Sequence, residues 1–369
     1  MNVSLDIILI AIVLVSACII PGTFLVLRRL SLLSDAISHS ALLGIVIAFF
    51  IVGRLDSFWL VLGASVVGMV TVFLIELLIS TKRVKEDAAI GLVFPVFFSI
   101  GVILINKFAG NIHFDSDCIL FGEIAFAPFE RMILFNTDLG PKALWVMGSI
   151  LLMNTTFLIV FYKELKLVTF DEGLAELLGF KPKLFHYLLM LITAITVVGA
   201  FESVGSILVV ALMIVPVATS MLISNRVVTL ILFALGVGIV AVLVGYGVSF
   251  SFDTSISGTI VSVLGVCFFV MFLFGYPNGL VFKVINFKKQ QLQFSSTMFL
   301  VQLFNHADLH KEHFEMTALN MVQHMDWTEA FSQRVTAYCI KMKYILQKGN
   351  HYRLTNLGRE KAKEAITMT

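Results

Sequence analysis

Nine stretches of this sequence are each long and apolar enough to cross a lipid bilayer, and a chain built that way has few folds open to it. They run Leu5–Leu27, Leu33–Val52, Phe58–Ile79, Ala88–Ile105, Leu144–Phe161, Leu184–Ala200, Val204–Ile223, Val227–Phe250 and Ile256–Phe274. A hydrocarbon core of about 30 Å is crossed by roughly 20 helical residues. No water is present there to bond free backbone groups, so each stretch must close its hydrogen bonds within itself as a helix. The expectation is an all-α polytopic membrane protein of about nine spans. With 59% of residues hydrophobic and 14% charged, a water-soluble globular domain is excluded.

Basic residues set the expected orientation, because Lys and Arg collect on the cytoplasmic side. Arg28, Arg29, Lys82, Arg83, Lys85, Lys163, Lys166, Lys181, Lys183, Arg226, Lys283, Lys288 and Lys289 fall in alternate connections, thirteen in all. The remaining connections hold four, Arg54, Lys107, Arg131 and Lys142. This bias puts the N-terminus outside and the C-terminal segment in the cytoplasm of a multi-pass protein of the cell (inner) membrane. No basic residue precedes the first span and no small-residue cleavage site follows it, so it reads as a retained span.

Within the second stretch, LLSDAISHSALLGIVIAFF, lie Asp35 and His39. Residues four apart occupy one helical face, one turn above the other. Ionisable side chains are costly inside a membrane and mark function there by default. A carboxylate oxygen and an imidazole nitrogen together suit a divalent transition metal such as manganese, iron or zinc. Both could instead bond nearby backbone at the mouth of a span, the ordinary fate of a single such residue.

Three other regions stand out. The connection from Asn106 to Ala143 carries Asp115, Asp117, Glu123, Glu130, Asp138 and His113. It is read as a solvated outer loop with short interfacial helices, although acidic charge there could also focus cations. Between the sixth and seventh stretches, Phe201, Glu202 and Ser203 form either a tight hairpin or part of a broken helix. KLVTFDEGLAELLGFKPK, Lys166–Lys183, is read as a short amphipathic helix, capped by Thr169 or Asp171, ended by Gly179 and followed by Pro182. It is suited to lie on the membrane or to dock into a partner. The four cysteines, Cys18, Cys118, Cys267 and Cys339, share no metal-ligand spacing and imply no disulfide framework.

Beyond Tyr276-Pro277-Asn278-Gly279 the composition changes. Residues 283–369 hold 12 Lys and Arg against 7 Asp and Glu, with no stretch able to span. The domain reading is a transmembrane part, 1–280, and a small cytoplasmic α+β part, 281–369. Helical periodicity appears at Thr297–Phe304, Leu309–Met325 and Thr328–Met342. Gly349-Asn350 then separates two short strand-like runs, a hairpin signal, and Thr355 can cap a last helix from Asn356. Helices followed by a hairpin resemble a winged helix, whose charge permits nucleic acid without demanding it, and nucleic acid is not expected as a partner. His306, His310 and His313 share one helical face and could bind a regulatory metal, although histidines so placed are more often simply exposed. No Gly-Lys dipeptide occurs, hence no phosphate-binding loop of the NTPase kind; if ATP drives this chain, another chain binds it.

Four stretches in order resemble the metal-ion family of ATP-binding-cassette permeases, the membrane subunits of manganese, zinc and iron importers. They are LSDAISHSALLG (Leu33–Gly44), KEDAAIGLVFPVFFSIGVIL (Lys85–Leu104), FDEGLAELLGF (Phe170–Phe180) and VGSILVVALMIVPVATSMLIS (Val204–Ser224). The resemblance covers roughly residues 5 to 275 and implies the fold of importer permeases of the metal and vitamin-B12 type. It puts Asp35 and His39 on the metal pathway, and Phe170, Asp171, Glu172, Ala175 and Gly179 on the helix that couples to the ATPase. It implies ATP-binding-cassette ATPase subunits, an external metal-binding lipoprotein or periplasmic protein, and a second permease protomer, identical or paralogous. The metal is cargo (Mn2+, Zn2+ or Fe2+), with no permanently bound cofactor and no covalent chemistry. YRLTNLGREKAKEA (Tyr352–Ala365) is similar to the wing and following helix of metal-dependent repressors. Two further functions compete: a permease for a metal chelate such as haem or a siderophore, and an intramembrane metalloenzyme. The second lacks a His-Glu-x-x-His helix here.

Overall fold

The structure is a computed structural model that describes residues 3–53, 57–108, 124–134, 137–277, 279–309, 316–317, 325, 327–348 and 351–367. The chain divides into two compact units, Met1–Tyr276 and Pro277–Thr369.

The first unit is helical: α1 (Val3–Leu27), α2 (Ser31–Val52), α3 (Ser57–Ser80), α4 (Glu86–Phe108), α5 (Lys142–Phe170), α6 (Glu172–Leu177), α7 (Pro182–Val204), α8 (Ser206–Met221), α9 (Val227–Phe252) and α10 (Ile256–Phe274). Eight of these have the length and apolarity to cross a membrane. The expected seventh span, Val204–Ile223, is shorter than its sequence implies. Gly205 takes φ 77°, ψ 165°, a conformation open to glycine, which breaks the run into α7 and α8. The chain then leaves α8 in a turn after Met221, so α8 has 16 residues. The short connection at 201–203 is therefore helix, and the break lies two residues on. Conversely α5 outruns its expected end at Phe161 and continues, bent at that residue, to Phe170.

Helix α1 is deeply enclosed, with Ile10, Leu14, Val15, Cys18, Ile19 and Leu25 fully buried. It packs on α5, α8 and α9, while α2 packs on α3 and α4, and α7 touches α1, α2, α3, α5 and α8, joining the two groups. Small residues let α2 and α3 approach closely. A Cβ on Gly44 would lie 2.5 Å from Ala64 Cα and 2.6 Å from the Gly63 carbonyl oxygen, so no larger residue fits without moving a backbone. Between α4 and α5 the described part of the outer connection is a 3-10 turn at Ala127–Phe129 and an antiparallel hairpin, β1 (Arg131–Leu134) with β2 (Thr137–Pro141). In this described part a hairpin stands beside a single helical turn, and much of the loop in which short interfacial helices are expected lies outside the described residues. His113, Asp115, Asp117, Cys118 and Glu123 lie outside the described residues.

The second unit contains α11 (Leu280–Leu309), β3 (Met316–Thr317), α12 (Glu329–Lys341), β4 (Ile345–Lys348), β5 (His351–Leu354) and α13 (Asn356–Thr367). Its sheet runs β3-β5-β4, all antiparallel, with Ile345 opposite Leu354 and Lys348 opposite His351. Phe299, Leu300, Leu303, Val335, Cys339, Ile345, Tyr352 and Ala362 form its core. Thr355 caps α13, accepting from the Gly358 amide at 3.1 Å. Two expectations change. The helix expected from Thr297 is the second half of a 30-residue α11. The helix expected over Leu309–Met325 meets a strand at Met316–Thr317, and most of its other residues lie outside the described ones.

Candidate functional site

Asp35 and His39 project from the same face of α2, as their spacing requires. His39 Nε2 lies 3.4 Å from Asp35 Oδ1. Two rings of α4 wall the imidazole: Phe94 stacks on it with centroids 5.6 Å apart, and Phe98 meets it edge-on at 5.8 Å. The side chains remain 29% and 41% exposed for His39 and Asp35. An ionised carboxylate this open is costly against hydrocarbon. No group of three or more His, Cys, Asp or Glu able to hold a metal occurs among the described residues. At this place the described residues bring together two metal-ligating atom types, a carboxylate oxygen and an imidazole nitrogen.

The residues expected to form the coupling helix make a second feature. Asp171 Oδ1 accepts from the Leu174 amide at 2.9 Å, capping α6 at its start. At its end the amides of Gly179 and Phe180 return to the carbonyls of Glu176 and Ala175, with Gly179 at φ 86°. This two-sided closure makes a six-residue helix possible. Ala175 is buried against Val168 and Phe185, fixing α6 to the ends of α5 and α7. Phe170, Leu174, Leu177 and Leu178 are exposed around it, Leu177 at 86%. Pro182 does more than stop the preceding helix, since it opens α7 at the first helical position.

Behind α6 lies a third cluster. The Glu76 carboxylate of α3 pairs with His186 Nε2 of α7. His186 Nδ1 lies 3.1 Å from Arg28 Nη1, just past α1, and Arg28 Nη2 donates to the Val168 carbonyl of α5 at 3.3 Å. Arginine only donates, so His186 Nδ1 accepts and Nε2 carries the proton towards Glu76. Burial lowers the Arg28 guanidinium from its ordinary pKa, opposed by the carboxylates of Glu172 on α6 and Glu76. These groups line a cavity of about 740 Å³ with Arg29 and Lys183. One arginine thus joins the ends of α1 and α5 to α7, and through it to α3, beside the helix expected to meet the ATPase.

Asp35 and His39 are brought together, and Phe170 to Gly179 form one compact element. Of the three histidines expected to share a helical face in the second unit, His306 lies on α11 with its side chain undescribed, and His310 and His313 lie outside the described residues. Glu76 and His186 were not singled out by the sequence reading, although each is a lone ionisable residue in an apolar run, the same signal that drew attention to Asp35. Asn154, next to Thr155 and Thr156 in the fifth span, is fully buried.

A family model for the ABC 3 transport family matches residues 2–275. The zinc transport system membrane protein TroD of Treponema pallidum is 39% identical over 355 residues, covering 96% of each chain. The manganese transport system membrane protein MntD of Bacillus subtilis is 42% identical over 278 residues, covering 74% of this chain and 94% of that one. Among solved structures, PsaBC from Streptococcus pneumoniae in complex with Fab superposes with a TM-score of 0.64 at 30% identity, over 77% of this chain and 95% of the other. With its bundle of apolar helices and this agreement along nearly the whole first unit, the chain is a multi-pass membrane protein that belongs to the ABC 3 transport family.

Proposed function

We propose that this chain is the permease subunit of an ATP-driven importer of divalent transition-metal ions, manganese or zinc in the first place and iron(II) by the same ligand chemistry. The observation that carries this reading is the Asp35–His39 pair: two metal-ligating side chains one turn apart, inside a span, against aromatic rings and open on one side. Its support comes also from relatives whose names specify zinc or manganese transport. A binding protein outside delivers the ion, which pauses between carboxylate and imidazole, held well enough to be selected and loosely enough to leave. A second permease protomer supplies a matching pair to complete the shell. The N-terminus lies outside and the basic loops inside.

ATP binding and hydrolysis belong to separate ATPase subunits, which grip the exposed apolar ridge of Leu174, Leu177 and Leu178. Ala175 and the Arg28–His186–Glu76 chain carry that movement into α1, α3, α5 and α7, so the bundle switches access in a discrete step. The protein makes and breaks no covalent bond. The unit Pro277–Thr369 is read as a winged-helix-like regulatory module, with helices flanking a small antiparallel sheet. A bulky chelate as cargo would leave the paired donors without a role. The test is reconstitution with the cognate ATPase and binding protein in liposomes, with uptake of manganese, zinc and iron(II) measured in turn. ATP-dependent uptake of at least one free ion supports the proposal; transport of a chelate with no competition from free ions overturns it.

A further inference from the structure

The two halves of α11 live in different surroundings. From Ser295 onward the helix supplies buried residues, Phe299, Leu300 and Leu303, to the core of its unit. Before that point residues 283–291 are all exposed, yet the segment is rich in large apolar side chains. Leu280, Val281, Val284, Ile285, Phe287 and Phe294 are exposed, the two phenylalanines at 66% and 68%. An apolar surface of this size on a soluble face marks an interaction site, and an isolated helix of about 15 residues is marginal in water.

At about 100° per residue, these six side chains gather in one half of the helix circumference. Lys283 and Lys289 stand at the two edges of that half, and Lys288 lies within it, where its long stem can lie flat and its ammonium can reach outward. No Asp or Glu occurs between Leu280 and Ala307, so the three lysines are uncompensated along the helix. Five residues, 275–279, separate Phe274 at the end of α10 from Leu280, so this connection can span at most roughly 22 Å even if fully extended.

We propose that Leu280–Phe294 is a lipid-surface helix, lying in the anionic headgroup layer of the bilayer that holds α1–α10. The apolar half sinks to the acyl boundary while Lys283 and Lys289 meet phosphate on either flank. Charge decides the occupant. Side-by-side pairing with the same segment of a second copy would set an uncompensated lysine row against its duplicate, whereas an anionic lipid surface neutralises it. The proposal goes beyond the importer reading and is independent of cargo.

The test uses the full-length chain in nanodiscs of phosphatidylcholine with one quarter phosphatidylglycerol. An environment-sensitive fluorescent amino acid replaces Phe287 in one variant and Gln293, on the opposite face, in another. Lipids carrying a nitroxide on the acyl chain, present in both leaflets, act as quencher, so the result does not depend on orientation. Expected is quenching about threefold stronger at 287 than at 293, falling at least about twofold in phosphatidylcholine alone or with K283E/K288E/K289E. Equal weak quenching at both positions overturns the proposal. So does shielding of position 287 without quenching, whether it appears on pairing of two chains or on adding the ATPase, because a protein then covers the face. An unchanged denaturation midpoint for each variant shows that the unit remains folded.

Discussion

Asn154 Nδ2 donates to the carbonyl oxygen of Ala17 at 2.9 Å, across the α5–α1 contact. Ala17 precedes Pro21 by four residues in α1, and proline has no amide hydrogen to give it. The asparagine therefore supplies, from a neighbouring helix, the donor that the proline withholds. Its amide also donates to Thr196 Oγ1 of α7 at 2.9 Å, and Thr196 passes its own proton to the Ile192 carbonyl at 2.8 Å. Three helices are thus tied by one buried amide, in a place where an unmet polar group costs several kcal/mol in principle.

Replacing that amide should be felt according to what Pro21 leaves behind. Asn154→Leu is expected to lower stability by about 1–3 kcal/mol, read as a lower denaturation midpoint in detergent. Pro21→Ala restores an amide donor for Ala17, so the double variant should lose less than the two single losses added together. Strict additivity would show that Asn154 does not stand in for the amide that Pro21 lacks.

Gly44 tests how tightly the helix bearing Asp35 and His39 is seated. Gly44→Leu must push α2 off α3 and is expected to cost about 1–3 kcal/mol or more, with loss of uptake. Gly148→Ala is the control, since a Cβ there meets nothing within 4 Å. Equal effects of the two would mean that α2 and α3 do not meet as described.

The cluster at Arg28 should matter to coupling more than to folding or nucleotide chemistry. Arg28→Met and His186→Leu are expected to cut metal uptake at least about tenfold, since the coupling path through α7 is lost. ATP hydrolysis by the assembled complex should stay within about twofold. Leu177→Asp, by contrast, should weaken co-purification of the ATPase, because the residue projects from α6 without supporting it. Uptake that survives in Arg28→Met would remove the cluster from the mechanism.

Cys339 reports on the second unit. Burial pushes its thiol from an ordinary 9.0 up to about 12. The native thiol then stays protonated where the unfolded one ionises. Its contribution to stability is full below about pH 9 and is lost as pH rises from there towards 12. At pH 8 an alkylating reagent should leave Cys339 unmodified in the full chain and modify it on adding denaturant, as peptide mass measurement would show. Rapid modification without denaturant would contradict the packed core around Phe299 and Tyr352.

Local chemistry was readable in the sequence, and distant partnership was not. Asp171 and Thr355 announce themselves as caps, the runs on either side of Gly349-Asn350 as paired strands, and the apolar runs as spans, because each depends on residues a few positions apart. Arg28 and His186 are 158 residues apart and Asn154 and Ala17 are 137 apart, so only the fold reveals that they meet. Gly205 lay within a continuous apolar run, and apolarity alone says nothing of φ, which is why α8 looked longer than it is. In the second unit the expected helix starts only at Thr297, since the lysine- and glutamine-rich residues before it carry apolar side chains that face outward and do not mark a core. The face shared by Asp35 and His39 followed from spacing; the rings of Phe94 and Phe98 beside it did not.

The central claim is that a metal ion stops between Asp35 and His39 on its way across. It is tested most directly by radioactive manganese uptake into liposomes holding the chain, its ATPase and its binding protein, comparing the unaltered permease with Asp35→Asn and His39→Ala. The account predicts that each substitution abolishes uptake while the protein inserts, assembles and hydrolyses ATP as before. Undiminished uptake in either variant would contradict it.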